Sequence, residues 1–173
     1  MNIAVIGKDS EDSELFIHPF ALLLKDGVES GASLGYLAHV SVESCEEYWE
    51  SALKDVSHGI GKIIYCEIDG SIVGVVFLAF AEKETAQHRA EVRKLLVRTD
   101  MRGRGIGKKL MEILELEARI SGKSLLYLDT ESGSPADYLY PLLGWNELGI
   151  IPKYAASPNG RLADCTFYWK EID

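Results

Sequence analysis

Near residue 60 the hydrophobic pattern of this chain switches from helical spacing to β-rich runs, and strands and helices then alternate to the end. Before the switch, Leu15, Phe16, Phe20, Leu23 and Leu24 are spaced like one face of a helix entered from Ser10 or Ser13, and Pro19 leaves its start open. A loop, Gly31-Ala32-Ser33-Leu34-Gly35-Tyr36, leads to a second helix from Val42 to Val56, closed by His58-Gly59. After the switch, Lys62 to Ile68 and Ile72 to Ala81 are joined by Asp69-Gly70, a strong hairpin signal. Arg89 to Val97 reads as another strand. Residues 105–121 repeat apolar groups at Ile106, Leu110, Ile113, Leu114 and Ala118 and stop at Gly122, as an amphipathic helix does. Ser124 to Asp129 is a short strand, and Ser134-Pro135-Ala136-Asp137 starts a helix with Ser as N-cap and Pro in the first turn. With a first strand at residues 2–7 and two last strands, Glu147 to Tyr154 and Ala163 to Ile172, the order is β-α-α-β-β-β-α-β-α-β-β. That order predicts a mixed sheet of about seven strands with about four helices packed on it.

Composition closes off several function classes. At 173 residues the chain has room for one domain with a sizeable core, residues 1–173, and a second would be cramped. No apolar run reaches the roughly 18 residues a membrane span needs. The first residues carry no basic region of the kind a signal peptide has, so a cytoplasmic address is expected. Three cysteines and four histidines are scattered without ligand spacing, which predicts neither a metal site nor a disulfide framework. A net charge of −9 argues against nucleic-acid binding. The charge is uneven: residues 1–60 hold 11 acidic and 3 basic side chains, whereas between residues 93 and 109 seven basic side chains face Asp100 alone.

That basic stretch contains Arg102-Gly103-Arg104-Gly105-Ile106-Gly107-Lys108, between a strand and an amphipathic helix. Glycines let a backbone approach a ligand closely, and a helix N-terminus offers free N–H groups to phosphate. The spacing fails the P-loop by one residue and by its missing hydroxyl, and it lacks the third glycine of a dinucleotide fold. An ATP-binding role is therefore disfavoured. What fits is R-x-x-G-x-G, through Arg102, Gly105 and Gly107. On this segment the chain resembles the GNAT superfamily of acetyl-CoA-dependent N-acetyltransferases. Ala136-x-x-Leu139-Tyr140-x-x-Leu143-Gly144-Trp145 resembles a second motif of that family, with Trp in place of Phe. Further stretches, Gly31 to Tyr36, Arg89-Ala90-Glu91-Val92, Leu128 to Ser134 and Pro158-Asn159-Gly160-Arg161, are similar to its tabtoxin-resistance branch, whose members acetylate small amine-bearing compounds.

The resemblance implies a twisted, mostly antiparallel sheet with helices on both faces, and acetyl-CoA as co-substrate without a metal. It implies that Arg102, Gly103, Arg104, Gly105, Ile106, Gly107, Lys108 and Ser134 bind the cofactor, with backbone contacts from Leu95, Leu96 and Val97. It makes Tyr140 the candidate acid for the departing thiolate, although Pro141 biases Tyr140 away from helical geometry. Glu91 and Asp129 are the candidate bases; the plainer alternatives are an ion pair with Arg89 or Arg93 for Glu91 and a turn cap for Asp129. Ser33 and Tyr36 are candidate acceptor contacts, and the acidic N-terminal third would draw in a cationic amine. The cysteines offer no partner arrangement for a covalent acetyl-enzyme, which favours direct transfer in a ternary complex. The expected acceptor is a small-molecule amine and the expected assembly a monomer or homodimer. A protein Lys or N-terminal acceptor is the alternative within enzymes, and an inactive CoA-binding module the alternative outside them.

Overall fold

A computed structural model of the chain describes residues 1–172. Eleven regular elements follow the expected order: β1 (Asn2–Ile6), α1 (Ile17–Glu29), α2 (Val42–Ser57), β2 (Gly61–Ile68), β3 (Ser71–Phe80), β4 (Arg89–Val97), α3 (Ile106–Ile120), β5 (Leu125–Glu131), α4 (Pro135–Leu142), β6 (Asn146–Ala156) and β7 (Leu162–Glu171). The seven strands form one sheet in the order β1-β2-β3-β4-β5-β7-β6. Every neighbouring pair is antiparallel except β4 with β5, which run parallel at the centre.

Strand alternation divides the sheet into two cores. On β2 and β3, Ile64, Val76 and Leu78 face α3 and pack with Leu110, Met111 and Leu114. Their neighbours Ile63, Val75 and Phe77 face the other way, against Phe20 and Leu24 of α1 and Trp49, Leu53 and Val56 of α2. A period of two on the strands and of about 3.6 on the helices is what lets each face bury a continuous apolar surface.

The open start of α1 has a local cause. A 3₁₀ turn, Ser13–Phe16, precedes the helix proper, and Pro19 falls in the first turn of α1, where its missing N–H breaks no intrahelical bond. At the other predicted boundaries the residues behave as their chemistry demands. Asp69 and Gly70 both take positive φ (50° and 75°), as a two-residue hairpin turn requires. The Ser134 hydroxyl caps α4 by accepting from the Asp137 N–H at 3.2 Å. No helix among the described residues is long and apolar enough to cross a membrane.

Candidate active site

The central parallel pair is short. β4 and β5 are in register only from Arg89 to Glu91 against Leu125 to Tyr127. Beyond Glu91 the two strands part: β4 continues beside β3 alone, and β5 beside β7 alone. A bulge drives β4 aside, because Val76 of β3 faces both Lys94 and Leu95, and Lys94 takes a left-handed φ of 52°. The gap exposes the β5-facing backbone edge of Leu95, Leu96 and Val97, the strand predicted to contact the cofactor. Their side chains are occupied elsewhere: Leu95 and Val97 pack towards α3, and Leu96 is buried towards α1 and α2.

At the mouth of the gap lies the glycine loop. The N–H groups from Gly103 to Lys108 have no acceptor among the described residues; the first helical bond of α3 runs from Lys109 N–H to Gly105 C=O. Gly103 and Gly105 take φ of 74° and 78°, and a Cβ on either would meet no atom within 4 Å. An open row of unpaired donors at a helix N-terminus suits a diphosphate, so the residues present fit the phosphate end of a CoA ester. Arg104 and Lys108 are exposed beside it. Arg102 is not free: its guanidinium donates to Val97 C=O (3.1 Å) and to the Ser30 hydroxyl (3.0 Å), bracing the loop against β4 and the end of α1. Ser134 is likewise engaged as the α4 cap, its hydroxyl 3.2 Å from that of Thr130.

Tyr140 sits on α4 with its ring between Trp145 and Tyr168, centroids 5.8 and 5.4 Å away. Helical geometry survives Pro141, since the helix runs on to Leu142. The carbonyl that Pro141 leaves without its usual donor, on Asp137, is met by the Tyr168 hydroxyl at 3.3 Å, which also donates to the Asp137 carboxylate at 2.8 Å. The Tyr140 hydroxyl itself has no hydrogen-bond partner among the described residues. Burial, reinforced by the Asp129 charge, pushes its pKa above the ordinary phenol value and keeps it protonated.

The two candidate bases differ. Glu91 is ion-paired with Arg93 at 2.6 Å, which is the plainer of its two expected roles. Among the described residues Asp129 has no cationic partner within 4.0 Å and makes no side-chain hydrogen bond that would tie it down as a turn cap. Partial burial first, and the Glu91 charge second, raise its pKa above the usual carboxylate range, while Lys94 works against the shift. The Asp129 charge raises the Tyr140 pKa and opposes the lowering of the Lys94 pKa.

Lys94 escaped the sequence reading. Its ammonium donates to Leu34 C=O and lies over the rings of Tyr48 (4.9 Å) and Tyr36 (5.7 Å). Burial, then the Arg93 charge, lowers its pKa. The available signal was a second basic residue, directly after Arg93, in the otherwise apolar stretch Val92 to Val97. Tyr36 is thus brought to the bulge as expected of an acceptor-side residue, and Ser33 is half-buried in the same loop. Beside them a cavity of about 440 Å³ is lined by Val28, Gly31, Ala38, Glu131, Pro158 and Arg161, among others. At its rim Ala38 N–H donates to Pro158 C=O (2.9 Å), joining the α1–α2 loop to the β6–β7 turn. All three cysteines are buried; the Cys165 thiol is pushed up to about 11, chiefly by burial, so none is a ready nucleophile.

Comparison with known proteins agrees with this geometry. A curated relative, the [ribosomal protein bS18]-alanine N-acetyltransferase of Haemophilus influenzae, is 28% identical over 83 residues, which is 48% of this chain and 57% of the relative, so the match spans little more than half of that protein. Among solved structures, the ribosomal-protein-alanine N-acetyltransferase of Brucella melitensis superposes with a TM-score of 0.78 at 24% identity, covering 99% of this chain and 100% of the other. The yncA protein of Salmonella typhimurium, solved with its cofactor acetyl-CoA, gives 0.77 at 20% identity over 100% and 95%. The family model described as acetyltransferase (GNAT) family matches residues 33–145, from the α1–α2 loop through the gap and the glycine loop to Trp145. The chain belongs to the GNAT acetyltransferase family.

Proposed function

We propose that residues 1–173 act as one acetyl-CoA-dependent N-acetyltransferase domain that acetylates the amine of a small molecule by direct transfer in a ternary complex. The observation that carries the reading is the parting of β4 from β5 above a loop of unpaired N–H groups; the influence of the Asp129 charge on Tyr140 supports setting both residues at that gap. Acetyl-CoA supplies the activated thioester. The N–H groups from Gly103 to Lys108 hold its diphosphate, with Arg104 and Lys108 adding charge and Arg102 fixing the loop. The free edge of Leu95 to Val97 takes the extended arm and offers N–H groups to charge developing on the carbonyl oxygen. Asp129, with its raised pKa, removes the ammonium proton that would block attack. The new C–N bond forms as the C–S bond breaks, and Tyr140 gives its hydroxyl proton to the departing sulfur. The second proton of the attacking nitrogen passes to solvent in the gap, which returns one to Tyr140, and Asp129 sheds its own proton to solvent before the next turnover. Glu91 acts through Arg93 and through its effect on Asp129, not as the first base.

The Ala38–Pro158 bond, which ties the α1–α2 loop to the β6–β7 turn beside this cavity, supports a small acceptor over a long peptide. Within the family, the Arg89 to Val92 and Leu128 to Ser134 stretches support a kinship with the tabtoxin-resistance branch. A second reading, acetylation of a protein N-terminal alanine, is favoured by the names of the curated relative and the Brucella structure. Amine-dependent release of thiol from acetyl-CoA separates the two. We expect turnover with a panel of small amines and none with alanine-initiated peptides; the reverse pattern would establish the second reading.

A further inference from the structure

Two opposite charges on the acceptor side of the gap lack partners. Lys94 has no carboxylate within 4.0 Å among the described residues, although its side chain is largely enclosed by Tyr36, Tyr48 and Leu34. Asp129, on the neighbouring strand, has no cation within that distance. The other local charges do not supply the missing partners, because Arg93 and Glu91 are spent on each other. Enclosed charges are ordinarily paired, since desolvation penalises one left alone. The ring face of Tyr48 stands beside Lys94, and its own hydroxyl is buried with no hydrogen-bond partner among the described residues. A buried hydroxyl left without an acceptor is costly in the same sense.

We infer that Lys94, framed by the rings of Tyr36 and Tyr48, forms an anion subsite of the acceptor cleft, so that the preferred acceptor is a zwitterion carrying a carboxylate beside its amine, as α-amino acids do. This rests on the small-molecule reading above and deepens it. The carboxylate meets the Lys94 ammonium, which uses one of its three donors on Leu34 C=O, while the amine lies towards Asp129. A purely cationic amine would leave Lys94 uncompensated and be repelled by it. The acidity of residues 1–60 therefore does not describe the cleft wall itself, which is of mixed sign.

The test uses the full chain and the thiol-release assay, with common α-amino acids each set against the amine that remains after removal of the carboxylate. We expect kcat/KM about tenfold or more in favour of the amino acid, the worth of one charge-assisted contact. Lys94→Met, which keeps the length of the side chain, should collapse that ratio through the KM of the amino acid, and Lys94→Arg should restore part of it. Circular dichroism and acetyl-CoA titration verify that both variants are folded and bind cofactor. If Lys94 merely ties down the α1–α2 loop, Lys94→Met raises KM for both members of a pair alike, and the subsite is overturned. Equal turnover of amino acids and bare amines by the unmodified chain overturns it too, while leaving the small-molecule reading intact. Acetyl-CoA binding without turnover of any amine overturns both.

Discussion

At the scale of single residues, Tyr140 and Asp129 carry the strongest expectations. The Tyr140 hydroxyl bonds to no group among the described residues, so removing it costs the fold little, whereas a proton donor is worth about a hundredfold or more in rate. Tyr140→Phe should therefore lower kcat by about a hundredfold with little change in the KM for acetyl-CoA; steady-state kinetics with an unchanged kcat would remove Tyr140 from the acid role. Asp129 makes a different prediction because its pKa is raised in the folded state. As pH climbs, the unfolded chain ionises this carboxyl first. Stability therefore falls between the ordinary carboxylate pKa and the raised one, and the cost persists at neutral pH. Asp129→Asn should melt higher than the parent at pH 7, with the advantage shrinking as pH drops towards the ordinary carboxylate range, and it should lose most of its activity. A lower melting temperature at pH 7 would contradict that electrostatic account.

At the scale of elements, the site is held by contacts between helices and strands far apart in sequence. Lys170 of β7 donates to both oxygens of Glu115 on α3 (2.8 Å each) and to Leu143 C=O just past α4 (2.7 Å), while Trp145 Nε1 donates to the same carboxylate at 3.2 Å. This enclosed cluster locks α3, β7 and the end of α4, and so sets where Tyr140 stands. Lys170→Met leaves the Glu115 charge without a partner and should destabilise the fold by about 3–5 kcal/mol in urea unfolding. Adding Glu115→Met should recover most of that loss, since replacing an entire buried pair by apolar groups is often nearly neutral. Most element boundaries were legible beforehand, because Asp69-Gly70, Ser134-Pro135 and Gly122 act through local backbone chemistry. The start of α1 was less so, as Pro19 tolerates either a break or a first turn.

For the whole molecule, cofactor binding and stability are linked by mass action. Acetyl-CoA at a hundred times its Kd should stabilise the fold by about 2.7 kcal/mol, which for a chain of this size raises Tm by about 5–10 °C. ATP or NAD at the same concentration should leave Tm within error, because the glycine spacing matches neither of their loops. Differential scanning calorimetry decides the matter; a larger shift with ATP would reassign the loop.

The residues alone determined the order of elements, the glycine loop with its basic flank, and Tyr140, Glu91 and Asp129 as the side chains of interest. These depend on period, turn chemistry and motif, which are properties of neighbours in sequence. Only the folded chain decided how the candidates relate. It paired Glu91 with Arg93, left Asp129 without a cation among the described residues, turned Arg102 into a brace, and let Tyr168 meet the carbonyl freed by Pro141. It also enclosed Lys94 against Tyr36 and Tyr48, because a bulge opposite Val76 turns that one residue towards α1 and α2. A one-residue change of strand register redirects a side chain and its charge, and that register is set by long-range pairing that no local stretch of sequence contains.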